Sequence, residues 1–396
     1  MRAVVLLSTL ALVLGACSSK SNSPLASDTD AGTAQPEAGP PAAARKALGM
    51  NDVSVLIPIP ASPAAEGHLG PTDAGERGEL LPQAVYDKIP KFGVKPAEGL
   101  DYARMRAVGI RFDGCFPAPA GCEPQIRIVM QPITDQGTTL DSALHLFYRL
   151  SEDELAQVVT RLRELRALAP EQTDAPLDVS PALVAQGMTG AYGTGLRDLV
   201  LKFAGEKNLV RMTFFLRAPP RQEEWFFGGF NRSGETMTSL DIVGVGKGNQ
   251  RVDRPIVENG FKYEFTPAGN GPEDVSVLLS TESATAATAQ AREAALGAFA
   301  RIANPDKHGP DDLPCAGCHV VSYVAAVIKD KFGQDMLAQP DAYKSKRDLG
   351  LRGQATLTPS SLRAFGWFKD QPMISVRVVN ESAAVLDDLD KRFPLP

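Results

Sequence analysis

Histidine and cysteine are scarce in this chain: four of the first and five of the second among 396 residues, with only two tryptophans. So few histidines leave little room for a hydrolytic triad, and neither a GxSxG nucleophile turn nor a P-loop occurs. Gly244-Val245-Gly246-Lys247-Gly248 comes nearest to a phosphate loop, but no helical pattern follows it, so it reads as a turn. Long basic runs are also missing, and the formal charge is -6, which excludes nucleic acid as an expected partner. Beyond residue 16 no apolar stretch approaches the length needed to span a bilayer.

What the sequence does have begins at its start. Arg2 precedes an apolar run from Ala3 to Leu14, interrupted only by Ser8 and Thr9, and then come Gly15, Ala16 and Cys17. This pattern predicts a signal peptide over 1–16, too short for a permanent membrane span. Leu14-Gly15-Ala16-Cys17 resembles the lipobox of bacterial lipoproteins. The resemblance implies cleavage before Cys17, lipidation of Cys17, and a place in the cell envelope, anchored to a membrane by acyl chains at ~0.8 kcal/mol per buried methylene. Residues 17–82 then read as a lipidated disordered tether. To about residue 50 the tract is rich in Ser, Ala, Pro and Asp, with few large apolar side chains to offset ordering entropy. It stays rich in Pro and Gly to residue 82, and only Val53 to Pro60 could form a strand.

The remainder exceeds one typical core, and 43% hydrophobic residues supply material for two. Over 83–280 short runs rich in Val, Ile, Phe and Thr predict strands: Ala107 to Phe112, Gln125 to Gln131, Leu144 to Leu150, Leu209 to Leu216, Trp225 to Phe230, Met237 to Val245 and Phe261 to Phe265. Ser151 with Glu154 forms a capping box, and Leu155, Val158, Val159, Leu162 and Leu165 follow at helical spacing. Over 281–396 the pattern turns helical, at 281–303, at 319–331, after the N-cap candidate Thr358, and at 379–392. The expected fold class is α+β: a β-rich, largely antiparallel sheet domain followed by a small, mainly α-helical domain. In an oxidising compartment Cys115 and Cys122, separated by the turn-forming FPAPAG, are expected to form a disulfide.

One motif carries chemistry. Cys315-Ala316-Gly317-Cys318-His319 is a CxxCH, the spacing in which two thiols bond the vinyl groups of a haem and the adjacent histidine ligates its iron. On these residues, and on the helices around them, the region from residue 281 resembles the c-type cytochromes. That resemblance implies one covalent haem c held by Cys315 and Cys318, His319 as proximal iron ligand, and a distal methionine downstream. Met373, behind the aromatic run Phe365-Gly366-Trp367-Phe368, is the first candidate and Met336 its rival. The function this implies is single-electron transfer with an exported redox partner protein, by an electron carrier rather than an enzyme. Three other readings stay open: a haem-dependent sensor or enzyme with an open distal site, a zinc site that adds His308, and a partner-binding or structural surface lipoprotein with a Cys315–Cys318 disulfide and no haem. His145, in LHLFYR, shares one face of its strand with Phe147 and Arg149 and reads as an ordinary sheet residue.

Overall fold

In the computed structural model, which describes residues 46–90, 101–114, 123–139, 141–169, 175–218, 223–254, 271–350 and 362–395, the strand-like runs pair into one eight-stranded sheet. The chain first builds α1 (Met50–Val53), β1 (Ser54–Leu56), β2 (Ala74–Gly75), β3 (Gly78–Glu79) and α2 (Gln83–Tyr86). Next come β4 (Met105–Asp113), β5 (Gln125–Pro132), β6 (Ala143–Arg149), α3 (Glu152–Leu168), α4 (Pro181–Gln186), α5 (Ala191–Phe203), β7 (Leu209–Ala218) and β8 (Glu223–Ser233). After β9 (Thr236–Ser239), β10 (Asp241–Ile242), β11 (Gly246–Lys247) and β12 (Gln250–Arg254) the helices α6 (Thr281–Ala286), α7 (Ala289–Ile302) and α8 (Cys315–Phe332) follow. The hairpin β13 (Phe365–Phe368) and β14 (Gln371–Ile374) leads into α9 (Val376–Arg392). The fold is α+β, an antiparallel sheet followed by a helical C-terminal region. No helix among the described residues is long and apolar enough to cross a membrane.

The sheet order is β1-β4-β5-β6-β7-β8-β12, with β9 on β8, and every pairing is antiparallel. Its two faces differ, as strand alternation requires. Leu144, Leu146 and Tyr148 of β6 are buried among Leu155, Val158, Leu162, Leu196 and Val200 of α3 and α5. The helix α3 starts where its capping box predicts: Ser151 Oγ accepts the Glu154 amide and the Glu154 carboxylate accepts the Ser151 amide. On the opposite face, α8 and α9 approach from the two sides. Phe215, Trp225, Phe227 and Val252 of the sheet share a core with Leu296, Phe299, Val320 and Val324 of α7 and α8. Val379 and Leu386 of α9 join the core of the other strands.

These shared cores alter the expected organisation. Residues Ala43–Pro396 form one compact unit, and the predicted divide at residue 280 is not a packing boundary, because the helices bury their apolar faces on the sheet rather than on one another alone. The expected tether to residue 82 is also too long. Residues 46–82 belong to the folded unit: Val53, Val55, Leu56 and Ile57 are fully buried, and β1 pairs with β4. A run of four large apolar side chains gains about 1.5–3 kcal/mol each on burial, enough to draw an otherwise polar segment onto the sheet edge. The helix expected after Thr358 begins outside the described residues, and the residues from Phe365 form a hairpin. Gly366 lies within it at φ 135. Its backbone lies where a Cβ would sit 2.4 Å from Gln131 Oε1. Gln131 uses that closeness to accept from the Trp367 amide (2.7 Å) and donate to the Trp367 carbonyl (2.8 Å). Thr358, the run Phe261 to Phe265, and the cysteines 17, 115 and 122 lie outside the described residues.

Candidate functional site

The helix α8 begins at Cys315, directly after Pro314, whose fixed φ of -64° and missing N–H suit the approach to a helix start. Cys315, Cys318 and His319 stand three and four positions apart, so the helix sets them on one face. All three are half-buried and line one wall of a cavity of about 680 Å³, a size within the ~300–1,000 Å³ typical of small-molecule and cofactor sites. The sheet forms its floor through Arg127, His145, Phe147, Arg211 and Thr213; α9 closes the far side with Arg377, Val378 and Glu381. A second depression, between α3 and α5, is lined by charged and polar side chains such as Arg161, Asp198 and Lys202 and holds neither cysteine nor histidine.

His319 is positioned from both sides. Its ring stacks on Phe215 (centroids 5.1 Å apart, planes at 16°) and leans on Phe227 at 5.0 Å. Its Nδ1 lies 2.6 Å from the Leu362 carbonyl. A carbonyl only accepts, so Nδ1 carries the proton and Nε2 keeps its lone pair. Leu362 is itself fixed: its amide donates to Asp141 Oδ2 at 3.0 Å, and Trp225 Nε1 donates to the same oxygen at 2.8 Å. Such an outer partner sets tautomer and ring orientation at metal-ligating histidines. Burial drives His319 down to about 4, against the upward pull of its bond to Leu362, and the nearby Arg363 guanidinium adds to the fall. The imidazole is therefore neutral at pH 7 and able to donate its electron pair.

The two thiols are unbridged. Burial pushes Cys315 up to about 12, with Cys318 adding to the rise, and burial pushes Cys318 up to about 11. Thiols of that kind are poor nucleophiles for thiol–disulfide exchange, where a lowered value is the rule. Around them the charged groups are matched. Arg211 grips Asp311 with both Nη atoms (2.7 and 3.2 Å), Arg127 pairs with Asp113 at 2.8 Å, and both guanidinia lie over the Phe147 ring. Glu381 binds Arg111 and, at 2.5 Å, Arg377, whose other nitrogens donate to the carbonyls of Ile302 and His308. This network ties β4, α9 and the end of α7 together beside Cys318.

The predicted residues divide. Cys315, Cys318 and His319 come together on one wall. Met373 does not join them: it is fully buried in the β13–β14 hairpin opposite Gly366 and is not among the residues lining the cavity. Met336 lies buried against α7 and α8. His308 turns away to Glu273, 2.8 Å from Nε2, so the zinc set that includes it is not assembled, and no group of three or more His, Cys, Asp or Glu among the described residues could hold a metal ion. His145, read from the sequence as an ordinary sheet residue, lines the cavity from β6. No protein-family model, curated protein or solved structure matches this chain.

Proposed function

We propose that this chain is an exported, lipid-anchored monohaem c-type cytochrome that passes single electrons to or from a partner protein in the cell envelope. The observation that carries the reading is the state of His319: its Nδ1–H is committed to the Leu362 carbonyl, leaving Nε2 as the available donor on the wall that also bears both thiols of the CxxCH. The donor chemistry fits haem c, which asks for two thiols on one helical turn, a neutral imidazole beside them and a cavity walled by aromatic side chains. Cys315 and Cys318 would hold the group covalently and His319 would ligate the iron. Bound haem would supply a one-electron couple. The protein's own share is orientation and environment. Phe215 and Phe227 fix the imidazole plane, Asp141 fixes Leu362, and Arg127 and Arg211, paired with Asp113 and Asp311, put guanidinium charge on the cavity floor. Cys17 would carry the lipid that keeps this unit near membrane-bound partners.

The test is expression in an envelope with and without c-type haem maturation, followed by intact mass after acid-acetone extraction. Haem mass should remain on the polypeptide, because thioether bonds survive conditions that strip non-covalent haem. Cys315→Ala with Cys318→Ala should remove it. A mature protein without covalent haem, from cells that mature another c-type cytochrome correctly, would overturn the reading and leave a haem-free binding lipoprotein.

A further inference from the structure

The geometry points to His145 as the second residue that would hold the iron, together with His319 and in place of a methionine. This inference rests on the haem reading above.

Four observations carry it. First, strand alternation sends Leu144, Leu146 and Tyr148 into the dry core and leaves His145 and Phe147 half-buried on the cavity side. Second, the register places His145 beside the His319 wall. His145 is opposite Thr213 of β7, and Thr213 lies two residues before Phe215, the side chain on which the His319 ring stacks. Along a strand two residues span about 7 Å. Third, the other donors lining the cavity are engaged. Asp311 is held by Arg211, Glu123 by Arg149, Glu381 by Arg111 and Arg377, and Asp312 accepts the Gly309 amide at 2.6 Å. Apart from the CxxCH itself, His145 is the one imidazole, thiol or thioether among the described residues that line it. Fourth, the methionines fail on position, since neither Met373 nor Met336 lines the cavity.

The test uses the haem-loaded full-length protein. Electron paramagnetic resonance of the oxidised wild type should give a low-spin signal, and the near-infrared sulfur-to-iron charge-transfer band should be missing. Met373→Ala should leave both spectra unchanged. His145→Ala should lose the low-spin signal, become high-spin, and recover low-spin character when imidazole is added. That recovery separates an emptied ligand position from a misfolded variant, and wild-type spectra alone test the proposal should His145→Ala fail to fold. A sulfur-to-iron band in the wild type that Met373→Ala abolishes would overturn it. So would a high-spin wild type, or a His145→Ala protein with an unchanged low-spin spectrum. Absence of covalent haem is a separate result, read from mass alone, and would overturn the function on which this inference stands.

Discussion

Replacing Glu381 with glutamine should loosen the packing of α9 against the sheet at a cost that the structure fixes within limits. Burial alone would push the Glu381 carboxyl up, but the guanidinia of Arg377 and Arg111, with Arg127 behind them, overcome it and hold the group at about 2. A carboxyl that moves from its usual 4.5 to about 2 on folding contributes about 3 kcal/mol at neutral pH. Removing one partner of a buried ion pair costs about 3–5 kcal/mol, because the charges left behind remain desolvated. The two routes agree on about 3 kcal/mol or somewhat more. At ~2 °C per kcal/mol, the lower end for large domains, thermal unfolding should fall by about 6 °C or more. The pH dependence has a definite sign. A lowered carboxyl stabilises fully above its unfolded value and loses that contribution as pH falls through its folded value. Urea unfolding should therefore show wild type and Glu381→Gln far apart at pH 7 and converging between pH 4.5 and 2. A difference under about 1 kcal/mol at pH 7, or two curves that stay parallel through that window, would refute the network as a stabilising tie.

Two further outcomes follow from other parts of the molecule. Asp141→Ala strands the buried Trp225 Nε1–H and Leu362 N–H, each worth about 1–3 kcal/mol when left unpaired, so denaturant unfolding followed by tryptophan fluorescence should show a loss of about 2–6 kcal/mol; a loss under about 1 kcal/mol would mean that Asp141 does not hold the Leu362 segment under His319. Cys17→Ser should abolish fatty-acid labelling and detergent partitioning of the exported protein, and equal partitioning of the variant would sink the anchor.

Most of the sheet was legible in the sequence because its signals are local. The runs at Gln125 to Gln131 and Leu209 to Leu216, rich in Val, Ile, Phe and Thr, became β5 and β7, and the Ser151 capping box marked the start of α3. The helix α5 gave no such signal. Gly193 and Gly195 depress helix propensity within it. Packing overrides that cost, since a Cβ on Gly195 would lie 2.5 Å from a Leu165 methyl and the bare backbone lets α3 and α5 meet. The stretch of alanine-rich helix expected over 281–303 breaks into α6 and α7 at Thr288, whose hydroxyl caps the second of them. The aromatic run Phe365 to Phe368 was visible as apolar but not as a strand, because its pairing depends on β14 and on the Gln131 side chain from a distant strand.

The site divides along the same line. Cys315, Cys318 and His319 are adjacent in the chain, and a helix start suffices to gather them, so spacing alone identified that wall. The opposite side of the cavity is a question of which strand lies beneath which helix, and no local pattern answers it. Distance downstream of His319 favoured Met373, as it does where a haem is wrapped by its own small helical domain. Here the helices are laid on a sheet that precedes them, and the sheet places His145 on the floor of the cavity. The sequence did place His145, Phe147 and Arg149 on one face. An alternation in which the outward residues are an imidazole, an aromatic ring and a guanidinium suits neither a dry core nor open water, and it fits the floor of a cavity between the sheet and the helices that cover it. Because His145 stands on β6 and His319 on α8, any group held by both would depend on how α8 and α9 pack against the sheet, a relation no local sequence pattern encodes.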